Sequence, residues 1–125
     1  MTHLLDVNVL LAAIWKEHPH HPRVFEWLKE KRIAVCPIGE LGFIRISTSV
    51  KSSFVAPMDE TRELLKKFLL ERDASRIPDD LPALESTPKK SDEVTDFYLA
   101  ALAEKHGFEL ATMDTRVKHP AAMLI

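Results

Sequence analysis

His3-Leu4-Leu5-Asp6-Val7-Asn8-Val9-Leu10-Leu11-Ala12 is the stretch on which the reading of this chain turns. A short apolar run delivers one carboxylate, an amide side chain follows two residues later, and apolar residues then resume at helical spacing. The pattern predicts a first β-strand, a tight crossing and the start of a helix. A carboxylate at the carboxyl end of a buried strand is costly unless something pairs with it. In an open α/β sheet that end is also where ligands sit. Asp6 is therefore expected to face a site that other acids join.

Working outward, Asn8 or a neighbour is expected to cap a helix reaching about residue 16, with Val9, Leu10, Ala13 and Ile14 on its apolar side. His18-Pro19-His20-His21-Pro22 breaks it. Three histidines beside prolines in a turn read as solvated side chains rather than metal ligands. A second helix is expected over about 22–31, burying Val24, Phe25, Trp27 and Leu28, followed by a strand over 33–36. Pro37 opens a third helix that reaches about residue 49. Glu40 falls in its first turn, where the helix dipole favours a carboxylate. Gly39 and Gly42 lower its helix propensity, which close packing of backbone or ligand would explain.

After a polar connection over 50–57, Asp59 is expected to cap a helix in which Thr61, Leu64, Leu65, Phe68 and Leu69 fit the i, i+3, i+4, i+7, i+8 template. Arg76-Ile77-Pro78 reads as a short strand, and Asp79 and Asp80 as solvated turn residues. A loop over 86–92 leads into Val94-Thr95-Asp96-Phe97-Tyr98-Leu99-Ala100-Ala101-Leu102-Ala103. That run is apolar nearly all round, the mark of a buried helix. Thr95 or Ser91 would cap it and Gly107 end it. Glu109-Leu110-Ala111-Thr112 is a strand with Met113-Asp114 at its exit, and 121–125 a last strand. Alternating strands and helices predict an α/β sandwich with a largely parallel sheet.

Composition sets the outer bounds. The 125 residues fit one domain spanning 1–125, and 46% apolar residues exclude a disordered chain. A net charge of -2 gives no global attraction to nucleic acid, so a polyanion would have to meet a local basic patch. The single cysteine, Cys36, cannot form a disulfide within the chain, which suits a reducing compartment; it reads as a buried strand residue. The N-terminus lacks the basic region and cleavage site of a signal peptide. No stretch reaches the roughly 18 apolar residues of a membrane span, so a cytoplasmic protein is expected.

Two acids, Asp6 and Asp114, stand at carboxyl ends of predicted strands, and two, Glu40 and Asp96, in first turns of the helices that follow such ends. In a doubly wound sheet all four fall on one edge. Asp96 is the only charged residue between Val94 and Ala103. Singly, each acid is explained as well by a helix cap or a surface charge. Together they would raise one another's pKa unless a cation intervened. Oxygen-only ligands select Mg²⁺ or Mn²⁺ over zinc. Such a site polarises a phosphate and activates water, and two ions roughly 3.5–4 Å apart would hold both attacking and leaving oxygens. The chemistry implied is phosphodiester hydrolysis.

The stretches Leu4 to Ala12, Glu40-Leu41-Gly42-Phe43-Ile44-Arg45, Val94 to Ala103 and Leu110-Ala111-Thr112-Met113-Asp114 together resemble the PIN-domain ribonucleases, in particular the VapC-type toxins of bacterial toxin–antitoxin pairs. The resemblance covers nearly the whole chain, in the family's order. It implies a PIN-like three-layer α/β/α sandwich and an endoribonuclease dependent on Mg²⁺ or Mn²⁺ that inhibits translation. It also implies a homodimer held inactive by a VapB-type antitoxin. Carried over by motif, Asp6 and Asp96 would be the principal metal ligands, with Glu40 and Asp114 completing the catalytic site directly or through water. Asn8 and Thr112 match accessory polar positions that orient such groups. Arg45 and Arg116 could touch an RNA phosphate or an antitoxin carboxylate, or form surface salt bridges.

One rival is a catalytically silent PIN-like module that binds RNA or protein. Another is a phosphotransferase of the haloacid dehalogenase type. That class wants an aspartate two residues after the first, where this chain has Asn8. A third is a structural adaptor with solvated acids, for which a divalent ion would not raise the melting temperature.

Overall fold

The alternation of Leu4 and Leu5 decides how the sheet is covered, because successive side chains of a strand point to opposite faces. The computed structural model describes residues 1–52 and 55–125. Its elements are β1 (Thr2–Leu5), α1 (Val7–Ile14), α2 (His21–Leu28), β2 (Arg32–Val35), α3 (Pro37–Ser47), α4 (Met58–Glu71), β3 (Ser75–Arg76), α5 (Val94–Lys105), β4 (Glu109–Thr112) and β5 (Ala122–Leu124). The strands form one sheet in the order β3-β2-β1-β4-β5, every pair parallel.

Leu5 joins Ile33, Val35 and Ala111 beneath α1 to α4, in a core that includes Val9, Leu10, Val24, Leu28, Phe43, Leu65 and Leu69. Leu4 joins Ala34 and Leu110 on the other face, under Leu99, Ala100, Leu102 and Ala103 of α5. The result is a three-layer α/β/α sandwich. Parallel neighbours need a crossover on every connection, usually a helix. Helices supply it up to β4, whereas the 113–121 segment from β4 to β5 crosses without one. The strand order reverses between β1 and β4, where Leu5 pairs with Ala111. The crevice at the carboxyl ends of those two strands is the place where such sheets bind ligands.

Several expectations are sharpened. Asp6, not Asn8, caps α1: its Oδ1 accepts from the Val9 N–H at 2.8 Å. Pro57 rather than Asp59 occupies the N-cap position of α4, and Asp59 lies in the first turn, where the dipole still favours it. Phe25 is 54% exposed although read as buried, because α2 turns only Val24 and Leu28 fully inward. Neither Thr95 nor Ser91 caps α5, which follows a 3-10 turn at Ser91–Glu93. Asp80 is not simply solvated; it lies 2.7 Å from His106 Nε2. Of the expected 50–57 connection, residues 53 and 54 lie outside the described residues.

His21, read as solvated, is part-buried and donates through Nδ1 to the Ala12 carbonyl at 2.7 Å. Other readings hold. Cys36 is buried and its thiol is pushed up to about 11 by that burial, so it is inert as a nucleophile. Gly107 ends α5 with φ +74°, a conformation that favours glycine. No helix among the described residues is long and apolar enough to cross a membrane.

α1 and α3 are tied together at their C-terminal ends. Trp15, just past α1, donates from Nε1 to Ser47 Oγ at 2.8 Å and stacks on Phe43 of α3 at 6.2 Å. Farther along the same helix pair, a Cβ at Gly42 would stand 2.7 Å from Val7 Cγ2, and valine is stiff at χ1. Gly42→Ala is therefore expected to destabilise the protein by about 1–3 kcal/mol. Gly39→Ala, whose Cβ would meet the Leu5 carbonyl at an ordinary 3.6 Å, is expected to be neutral or stabilising by up to ~1 kcal/mol. Urea unfolding of both variants measures the contrast.

Candidate active site

Where β1 runs out, the chain turns directly into α1, and Asp6 is the hinge residue. Its backbone is extended, its side chain caps the helix, and its N–H donates to the Ala111 carbonyl of β4 at 3.3 Å. The residue is only 3% exposed. Burial pushes its carboxyl up to about 6, against the Val9 N–H and the Thr112 hydroxyl, which both bind the charged form. The negative charges of Asp96 and Asp114 add to the rise.

Thr112 is fully buried at the end of β4 and serves two acids at once. Its Oγ1 accepts from the Asp114 N–H at 3.0 Å, and its hydroxyl also favours the charged form of Asp6. The side chain therefore acts on both the first and the fourth acid.

Asp96 comes from the first turn of α5 and is half-buried. Burial raises its pKa, the charge of Asp114 raises it further, and the Arg116 guanidinium opposes both. Asp114 goes the other way. Hydrogen bonds from the Arg116 side chain and backbone hold it below the usual carboxylate range. Arg116 Nε donates to Oδ1 at 3.0 Å, Nη2 to Oδ2 at 2.9 Å, and the Arg116 N–H to Oδ1 at 2.9 Å. Arg116 Nη1 lies 3.6 Å from Asp92 Oδ2.

Glu40 stands in the first turn of α3, beyond the end of β2. Its carboxylate, largely covered, is paired at 2.7 Å with Arg76 Nη2 from the end of β3. The carboxylates acting on Asp6 are those of Asp96 and Asp114. The fold thus brings three of the expected acids into electrostatic contact and leaves Glu40 engaged with an arginine to one side. Asn8 is exposed on the first turn of α1. Arg45 is exposed in the last turn of α3 and makes no ion pair with these acids among the described residues.

Sequence reasoning allowed Arg116 a salt bridge without naming Asp114 as its partner, and it missed Arg76. The spacing Asp114-Thr115-Arg116 at a strand exit could have signalled the first pair, since an arginine two residues on can fold back onto an acid. Arg76 gave no such signal, because it meets Glu40 only when β3 pairs with β2.

Among the described residues, no three histidine, cysteine, aspartate or glutamate side chains stand close enough to form a ready-made metal cage. Mg²⁺ does not require one, since it typically takes one or two carboxylates and keeps several waters. The donor set fits such a hard cation: it is all oxygen, and a divalent charge would offset both the burial and the smaller mutual repulsion that lift Asp6 and Asp96.

The PIN domain family model matches residues 3–123. A Mycobacterium tuberculosis protein named ribonuclease VapC38 is 36% identical over 91% of this chain and 86% of its own length. Ribonuclease VapC39 of the same species is 34% identical over 98% of this chain and 95% of its own. Among solved structures, VapBC2 from Rickettsia felis bound to a promoter DNA fragment superposes with a TM-score of 0.65 at 18% identity, covering 100% of this chain and 98% of that one. FitAcB from Neisseria gonorrhoeae does so at 0.57 and 19% identity, covering 92% and 88%. At these identities the structural likeness concerns the fold.

The burial of Asp6 has a consequence for stability. Its carboxyl titrates near 3.8 when exposed and near 6 in the native chain, so between those values the native state holds the extra proton. Stability from this group therefore falls as pH rises through that window, and the full penalty stands above it. Asp6→Asn removes the charge and still caps the helix. In EDTA at neutral pH it is expected to be more stable than wild type by on the order of 1–3 kcal/mol. The gap should close below about pH 4 in a series of thermal or urea melts.

Proposed function

The chain belongs to the PIN-domain family, and on that premise we propose that it is an endoribonuclease dependent on Mg²⁺ or Mn²⁺, the toxin of a toxin–antitoxin pair that inhibits translation by cutting RNA. The observation that carries the reading is the meeting of Asp6, Asp96 and Asp114 where the strand order reverses, with Thr112 acting on two of them. Residues 1–125 act as a single PIN domain.

A bound divalent ion supplies Lewis acidity to the scissile phosphate and the attacking water. Asp6, Asp96 and Asp114 would hold it. Asp6 cannot swing away, because the Val9 N–H and the Thr112 hydroxyl fix its carboxylate. Glu40, paired with Arg76, completes the acidic edge directly or through water. Asn8 stands exposed beside Asp6, where an amide can orient a carboxylate or a water. Arg45 offers an exposed guanidinium to an RNA phosphate or an antitoxin carboxylate.

The partner reading has its own support. A groove of about 660 Å³ runs between α3 and α4, with Glu40 and Arg76 at its edge. Leu41 and Leu70 line it although 65% and 72% exposed. Such a surface suits an apolar segment of a VapB-type antitoxin, in keeping with the VapBC complex that shares this fold. A homodimer and a cytoplasmic location belong to the same proposal.

The test is RNA cleavage by the purified protein with Mn²⁺ against EDTA, with Asp6→Asn prepared in parallel. Metal-dependent cleavage that disappears in the variant is expected, and equal cleavage by both preparations would betray a contaminant. Thr112→Val keeps the shape and removes the hydroxyl. It is expected to lower metal affinity or cleavage by about 10–100-fold, the usual cost of losing a group that orients a ligand. No cleavage by wild type across several structured RNAs would favour a silent binding module.

A further inference from the structure

Arg116 makes more carboxylate contacts than positioning Asp114 requires. The backbone already sets the acid in place, since the Asp114 N–H donates to Thr112 Oγ1 and the Arg116 N–H donates back to Asp114 Oδ1. The guanidinium is then added through Nε and Nη2, one to each carboxylate oxygen. Its remaining amino group, Nη1, faces a second carboxylate, Asp92, at 3.6 Å. Asp92 sits in the 3-10 turn that leads into α5. Glu93 holds that turn by accepting from the backbone N–H groups of Lys89 and Lys90 at 2.6 and 3.1 Å. The arginine thus stands between two fixed acids, one beside Asp6 and Asp96 and one outside them.

We propose that Arg116 is a displaceable counter-ion of the acidic site, which competes with a divalent cation for Asp114 and moves its fork onto Asp92 when the cation binds. The inference rests on the reading of Asp6, Asp96 and Asp114 as a metal site. Three observations carry it. Both oxygens of Asp114 are engaged by the guanidinium, so a cation approaching them meets a like charge. The arginine side chain is 72% exposed, and an exposed ion pair is weak enough for a divalent ion to displace. The alternative acceptor is already within ion-pair distance, so the guanidinium need not lose all pairing when it leaves. Without a metal, Arg116 supplies part of the positive charge that keeps the acids together.

Calorimetric titration of the metal-stripped full chain with Mn²⁺ tests the competition. Arg116→Ala is expected to bind on the order of threefold tighter than wild type, the size set by one exposed ion pair. In an Asp114→Asn background the same substitution should change nothing. Arg116→Lys keeps the charge without the fork and should fall between. Asp92→Asn removes the landing place and should weaken binding only while Arg116 is present. Melting of each variant in EDTA identifies any that fails to fold, and the remaining variants still decide the question.

Unchanged or weaker binding by a folded Arg116→Ala would overturn the proposal. So would a gain that persists without Asp114, which would make Arg116 a long-range field effect only. If wild type takes up no Mn²⁺, the metal-site reading itself falls, and this inference with it. That failure shows without any Arg116 variant.

Discussion

The hydrogen bond from the Val9 N–H to Asp6 Oδ1 holds together two requirements that otherwise conflict. A strand that enters a buried sheet must be apolar, and a site that binds a cation must carry charge. Asp6 reconciles them by standing at the one position where a buried carboxylate also finishes a helix. The helix start supplies N–H donors and the positive end of its dipole. The cap therefore fixes the carboxylate, and the carboxylate fixes the angle at which α1 leaves the sheet. At the other end of α1, Trp15 ties the helix to Ser47 and Phe43 of α3.

Charge is distributed around this point in two tiers. Asp6 and Asp96, the more enclosed acids, are raised by burial and by their neighbours. Glu40 and Asp114 are each paired directly with an arginine, Arg76 from β3 and Arg116 two residues on. Among the described residues no arginine is paired with Asp6 or Asp96, although the charge of Arg116 still acts on Asp96.

Much of this was legible in the residues themselves. Leu4-Leu5 ending in Asp6 fixes a strand, its two faces and its exit, because apolar alternation and an isolated acid admit few other readings. Val94 to Ala103 read as buried on all sides, whereas α5 fully buries only Leu99, Ala100, Leu102 and Ala103 and leaves Val94 50% exposed; Asp96 still stood out as its one charge. Gly42 announced a close approach, and Val7 is the neighbour that requires it. What stayed hidden depends on partners distant in sequence. The Glu40–Arg76 pair exists only because a two-residue strand docks beside β2. Phe25 was misplaced because helical spacing gives a stripe but not its width. The cap was read as Asn8 or a neighbour, and the side chain that takes it is Asp6, the acid singled out for another role.

The crossover from β4 to β5 has a bearing on motion. It carries Asp114 and Arg116, has no helix to clamp it to the sheet, and ends in a three-residue edge strand. Opening such a segment exposes little apolar surface, so its free energy lies well below that of global unfolding. The core strands β1 and β4 would stay closed while the outer wall of the acidic crevice breathes. In hydrogen-exchange terms, the amides of 113–124, and that of Leu110, which donates to the Ala121 carbonyl at 2.8 Å, are expected to exchange before those of Leu4 and Leu5. Asp114 and Arg116 thus ride on the one crossover that no helix covers.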